Sequence, residues 1–206
     1  MKVSIDERFG VSAGGAQLDR AAEALRANGY TVHVMDSAAE ARKLVAALVP
    51  RDQSVFTASS ETLRLSGIAA DLDESGDFQS VRAKAGDLSG DVYDQIRLGA
   101  LPDIVVGSVH AVTEEGHLVV GSATGSQFAP YASGARKAVW VVGAQKVVPD
   151  LETALSRIRS YSLPKEHQRI HDLSGQSSFL GRILILEREA FPDRGTVVLV
   201  RETIGF

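Results

Sequence analysis

Short apolar, β-branched runs, each closed by glycine, serine or proline, alternate along this chain with stretches whose apolar positions recur at helical spacing. A short apolar run between turn formers reads as a strand buried on both faces. On this pattern residues 31–35, 54–57, 104–106, 118–120, 139–142, 182–186 and 196–200 are strands. Residues 17–28 form a helix with Leu18, Ala21, Ala22 and Leu25 inward, closed by Asn28-Gly29. Residues 38–48 form another, with Ala41, Leu44, Val45 and Leu48 on one face and Pro50 beyond its end. Ser59 or Ser60 caps a third helix, residues 87–98 read as a fourth, and Asp150 caps a fifth running to Tyr161. Pro164 opens a polar helical turn over 165–172. Residues 71–77 carry acids without an apolar run and read as a surface connection. Residues 1–15 read as a loosely held lead-in.

Strands alternating with helices predict a single α/β domain over residues 1–206. Its architecture is three-layer α/β/α, with a mostly parallel sheet covered by helices on both faces. The strands at 31–35, 54–57, 104–106, 118–120 and 139–142 are expected in that sheet. The last two strands break the alternation and are expected to pair as a C-terminal β-hairpin around the Pro/Gly-bearing turn 191–195.

Composition narrows the function classes. Hydrophobic residues make up 44% and charged residues 23% of the 206, enough for one core of ordinary size. A net charge of −4 without a dense basic cluster argues against nucleic acid as a partner. The chain has no cysteine, which excludes disulfides, thiolate-bound zinc and iron–sulfur clusters ligated by this chain. The first residues, MKVSIDERFG, contain no apolar signal region, and no apolar run approaches the roughly 20 residues that span a bilayer. No membrane association and a cytoplasmic location are the expectation.

Candidate chemistry gathers between residues 103 and 149. No G-x-G-x-x-G follows the first strand, no Walker A loop or G-x-S-x-G elbow occurs. Thr113-Glu114-Glu115-Gly116 separates two apolar strands and leaves two readings open. Either it is a hairpin turn with solvated acids, or Glu114 or Glu115 faces a pocket at a strand end as base or nucleophile. In the second case the Glu114 carboxyl should be raised by burial near the ligand. Thr124-Gly125-Ser126-Gln127 is the candidate anion cradle: glycine, hydroxyls and an amide before a helical segment. Its alternative is a plain strand-to-helix turn. Gly107 closes the strand 104–106 beside this turn, and the expected site lies where the ends of strands 104–106 and 118–120 meet it. Lys137 and Lys146 flank the strand 139–142; each is either solvated or a point charge for an anion, with Lys137 the candidate ligand contact. His167 and His171 stand at metal-ligand spacing, but Gln168 occupies the place of a zinc protease's glutamate. A solvated helix face is the reading taken, and no metal site is expected.

The segment GSVHAVTEEG (107–116), the glycine loop after it, and KAVWVVGAQKVVPDLETALSRI (137–158) resemble the lactate-utilisation, or LUD-domain, family. The closing TVVLVRETIGF is similar to that family's carboxy-terminal strand and ending. The resemblance implies the three-layer fold shared with sugar-phosphate isomerases, amino-sugar-phosphate deaminases and CoA transferases. It also implies a role in oxidising lactate to pyruvate, beside iron–sulfur or flavin-type partner subunits. Many relatives carry Gly-Asn-Arg where this chain has Gly125-Ser126-Gln127, so an arginine contact does not carry over. Many also carry a cysteine-bearing insert where this chain has 173–178 without cysteine. Two function classes follow: a component of organic-acid oxidation binding an anionic small molecule, or an enzyme acting on a sugar-phosphate or CoA-linked substrate. A ligand-sensing subunit without turnover is the third.

Overall fold

The computed structural model describes residues 4–86 and 91–206; residues 87–90, the start of the helix expected over 87–98, lie outside them. In chain order the strands are β1 (Thr31–Met35), β2 (Ser54–Thr57), β3 (Gln79–Ser80), β4 (Ile104–Gly107) and β5 (Ala111–Thr113). They continue with β6 (Leu118–Ser122), β7 (Lys137–Gly143), β8 (Val147–Val148), β9 (Arg182–Leu186) and β10 (Gly195–Val200). The helices are α1 (Gly15–Ala27), α2 (Ala38–Leu48), α3 (Glu61–Leu65), α4 (Ile68–Glu74) and α5 (Val81–Gly86). After these come α6 (Val92–Leu98), α7 (Leu151–Arg157) and α8 (Leu163–Ser174), the last two joined by a π-helical turn, Ile158–Ser162.

A six-stranded sheet, in the order β1-β10-β7-β4-β2-β3, is parallel throughout. Its central strands are apolar on both faces because both faces are covered. Val105, Ala138, Trp140, Val142, Val197 and Leu199 pack with α1 on one side. Ile104, Val106, Val139, Val141, Val198 and Val200 pack with α2, α3 and α4 on the other. Trp140 is wholly buried, with Tyr30 and Tyr131 set edge-on at 6.0 and 5.6 Å. Ser37 caps α2 by accepting the Glu40 N–H, and Asp150 caps α7 by accepting that of Thr153.

A second, four-stranded sheet, β8-β5-β6-β9, lies on the α1 side. One face of it joins the α1 core through Val112, Leu118 and Val120, and the other packs on α7 through Val119, Ala154 and Ile158. The strand at 118–120 therefore sits in this sheet and not in the parallel one. Only residues 114–117 separate β5 from β6, which permits a hairpin but is far too short for a parallel crossover. The two C-terminal strands form where expected but not as a hairpin. β9 pairs antiparallel with β6, and β10 inserts between β1 and β7. The burial of each explains the parting: β10 is buried on both faces and suits a sheet centre, while β9 is half-exposed along its length.

Two further corrections concern segments read as irregular. Residues 68–74 are helical, anchored by Ile68 and Leu72 one turn apart, after Gly67 starts the helix. The lead-in is tied down over its described part: Asp6 N–H donates to the Ser160 carbonyl at 2.9 Å, and Ala13 N–H to that of Ala144 at 3.3 Å. No helix among the described residues is long and apolar enough to cross a membrane.

Candidate functional site

Parallel strands deliver the loops after their carboxyl ends to one edge of the sheet, where open α/β folds bind ligands. Here β2, β4 and β7 end side by side, and a cavity of about 540 Å³ opens over them. Its floor comes from the segments just past those ends: Thr57–Ser60, Ser108–His110 and Lys146. The turn after β6 and the inner side of α8 supply the walls, and Phe206 lies at the rim.

Lys146 ends a tight helical turn after β7 and is 2% exposed. Its Nζ donates to Thr62 Oγ1 at 2.8 Å and Ser108 Oγ at 3.0 Å. Burial, and next the charge of Arg157, hold its amine well below the usual lysine range. Arg157 is wholly buried behind the floor; among the described residues it donates to neutral oxygens, the carbonyls of Gln145, His110 and Phe9 and the Ser162 hydroxyl, and lies 5.0 Å from the centre of the Tyr161 ring. Burial brings Arg157 down to about 10, so it stays charged at neutral pH. His110 accepts the Gly121 N–H on Nδ1 at 3.1 Å, which places its own proton on Nε2. Burial, then Lys146 and Arg157, push this imidazole down to about 3, and it is neutral at pH 7.

At the mouth, Arg82 donates to the Thr57 carbonyl at 3.0 and 2.8 Å and to Ser59 Oγ at 3.2 Å. Asp73 bonds the Thr57 hydroxyl and so reaches Arg82 only indirectly. Arg64 and Arg169, by contrast, are matched by Glu61 and Glu166 at 2.8 and 2.7 Å.

Of the residues singled out in the sequence, Thr124, Ser126 and Gln127 line the cavity wall. Gly125 does not line it; its N–H donates to Ser122 Oγ at 2.9 Å, and at φ +77° it turns the chain. The loop thus satisfies itself, and the helical segment it opens serves to seat Tyr131. Gly107 lies beneath the floor, where its missing side chain admits the Tyr131 hydroxyl. Glu114 and Glu115 are at the closed end of the β5–β6 hairpin, whereas the cavity touches its open end at His110 and Gly121. There Glu114 pairs with Arg20 of α1 at 2.6 Å, and Glu115 offers its carbonyl to Asn28 at 2.8 Å. An antiparallel turn back carries the acids away from the edge at which parallel strands end. Glu114→Gln is therefore expected to leave any ligand's affinity unchanged, which calorimetric titration checks. Lys137 is exposed at the opening residue of β7, the end remote from the cavity. His167 and His171 stack at 6.4 Å on α8, and the described residues include no group of three potential metal ligands.

Four residues that line or back the floor were not singled out as site residues: Thr62, Ser108, His110 and Arg157. Lys146 was weighed only as a solvated or ligand-facing charge. The usable signal is position, because Ser108 and Lys146 each follow the buried apolar run of a strand within a few residues.

A crystal structure of a DUF162 family protein from Deinococcus radiodurans has the same fold: TM-score 0.55, 13% identity, covering 90% of this chain and 96% of that one. No curated protein is a match to the chain. The model of the LUD domain matches residues 18–200, every strand and the whole cavity floor included, and the chain belongs to the LUD-domain family.

Proposed function

We propose that this protein is a component of organic-acid oxidation, of the L-lactate to pyruvate type, and that its cavity binds the organic anion. The LUD-domain family is associated with lactate utilisation in general. The observation that carries the reading is two cations at the cavity that no carboxylate contacts among the described residues: Arg157 behind the floor and Arg82 at the mouth. A buried cation held by neutral oxygens and the Tyr161 ring, with no carboxylate partner among the described residues, is expensive, and an anion in front of it offsets that cost. Arg82 Nη1 has no partner among the described residues, which leaves donors for a carboxylate. Removing two electrons from a hydroxy acid needs an acceptor, and a chain without cysteine does not ligate an iron–sulfur cluster through thiolates. Partner subunits carrying iron–sulfur or flavin groups complete the reading.

One observation favours a second reading. A volume of about 540 Å³ suits a drug-sized or carrier-linked molecule better than a three-carbon acid alone. A sugar phosphate or a CoA-linked acid would fill it, with Arg82 on the phosphate.

Calorimetric titration of the pure protein with lactate and with pyruvate tests the first reading. Binding is expected, weakened roughly tenfold in Arg82→Gln by loss of a charged hydrogen bond. Deletion of the gene is expected to impair growth on lactate. Normal growth with no paralogue present, together with no binding of either acid, would sink the proposal.

A further inference from the structure

The cavity floor also holds an arrangement that anion binding does not use. Ser108 Oγ, Lys146 Nζ and Thr62 Oγ1 form a chain of contacts at 3.0 and 2.8 Å, continued from Thr62 to the Ile204 carbonyl at 3.3 Å. Thr62 is wholly buried and off the cavity wall, while Ser108 lines it. We propose that Ser108 is a nucleophile for acyl transfer, that the Lys146 amine is its general base, and that the cavity accepts a small acyl ester or thioester.

Four observations lead there. A nucleophile within hydrogen-bond reach of a base, itself oriented by a third group, is the geometry of an activated hydroxyl, and serine–lysine pairs are one known form of it. An ammonium buried among two neutral hydroxyls, with Arg157 nearby and no carboxylate in contact among the described residues, is poorly stabilised. The free amine is the form that suits the site, and in that form the 3.0 Å contact reverses, the Ser108 hydroxyl donating to the Nζ lone pair. The other contacts of Ser108 Oγ, to Thr62 Oγ1 at 3.4 Å and the Val109 carbonyl at 3.3 Å, are long and leave that proton available. His110, neutral with its proton on Nε2, adds to the same wall a donor of the kind that stabilises a developing oxyanion.

The cycle balances with water as its one further reactant. Ser108 Oγ bonds to the acyl carbon as its proton passes to Lys146 Nζ, and the carbonyl pair moves onto oxygen. Collapse breaks the bond to the leaving alkoxide or thiolate, which takes the proton from Nζ. Water then attacks the acyl-serine by the same route, releasing the acid and restoring the hydroxyl. This proposal does not rest on the lactate reading: neither lactate affinity nor growth on lactate depends on Ser108 reactivity.

The test treats the full chain with a fluorophosphonate and maps the adduct by peptide mass. One phosphonyl group on Ser108 is expected, absent in Ser108→Ala and slowed at least ~100-fold in Lys146→Met. Ser108→Ala is also expected to abolish turnover of p-nitrophenyl acetate. The labelling rate should rise with pH through a midpoint below the ordinary lysine value of 10.5. The titratable groups around that amine are Arg157 and the neutral His110 at the floor, with Glu61, Arg64, Asp73, Glu74, Arg82, Glu166 and Arg169 at the mouth. Thr62→Val should lower the midpoint, because the hydroxyl accepts from the protonated amine; an unmoved midpoint would remove Thr62 from the arrangement. No adduct on Ser108 in folded protein, or equal labelling of a folded Lys146→Met, overturns the proposal. Should Lys146→Met fail to fold, the wild-type profile decides, and a rate independent of pH overturns it.

Discussion

Gly107→Ala is expected to destabilise the protein by about 3 kcal/mol or more, the sum of overpacking and of broken buried hydrogen bonds. Gly107 ends β4 in the middle of the sheet. A Cβ there would coincide with the Tyr131 hydroxyl and crowd Ala58 at 3.1 Å. That hydroxyl accepts the Ser108 N–H and donates to the Ser108 carbonyl, both at 3.1 Å, so it fixes the backbone that carries the cavity floor. Tyr131→Phe alone should cost about 2 kcal/mol, since it leaves a buried amide and carbonyl without a partner. The double variant should fall short of the sum, because the oxygen that meets the new methyl is gone and the same hydrogen bonds are not lost twice, although the ring carbon at 2.7 Å still crowds it. Denaturant unfolding of the four proteins measures the cycle. Strict additivity would mean that the two residues do not meet.

Stability should also fall steeply with acid, beginning well above the range in which carboxylates titrate. His110 has a folded value of about 3 and an ordinary value of 6.5. Between those values the unfolded chain binds a proton that the folded chain refuses, so stability rises with pH across the window and falls as pH drops through it. The slope from this one residue approaches ~1.4 kcal/mol per pH unit once pH is below 6.5. Lys146 acts in the same direction at higher pH, because its folded value is also depressed. Its contribution falls as pH drops from 10.5 toward the folded value. Urea midpoints at pH 7, 6 and 5 check the His110 term, and His110→Gln should flatten the slope between them. A slope unchanged by that substitution would show that the imidazole is not held neutral.

The periodicities that define the parallel sheet were legible because they are local. β10 is apolar at successive positions, so it needs cover on both faces, and a parallel sheet between helices supplies it. The same held for α2, whose inward residues and following Pro50 lie within one stretch of chain. What local pattern did not decide was partnership. β5 and β6 are as apolar as β4, yet they belong to a different sheet, and only the short turn between them indicated it.

The site shows the same division. That a cavity would open at an edge of the sheet, beside the turn holding Thr124, Ser126 and Gln127, followed from the sequence and the rule for strand ends. The floor did not, because its chemistry depends on burial and on neighbours far along the chain. Lys146 and Thr62 meet across 84 residues, and Lys146 and Ser108 across 38. A lysine after a strand is solvated unless the fold closes over it, and nothing within a few residues of Lys146 reports that closure. Glu114 marks the converse: its position in the chain suggested a cavity, and the hairpin turned it toward Arg20. By itself the sequence determined most of the longer strands and helices and the end of the sheet at which the cavity opens, since those depend on short-range periodicity. Only the tertiary structure decided which strands pair and which charges are buried, since dielectric and contact are set by residues distant in sequence.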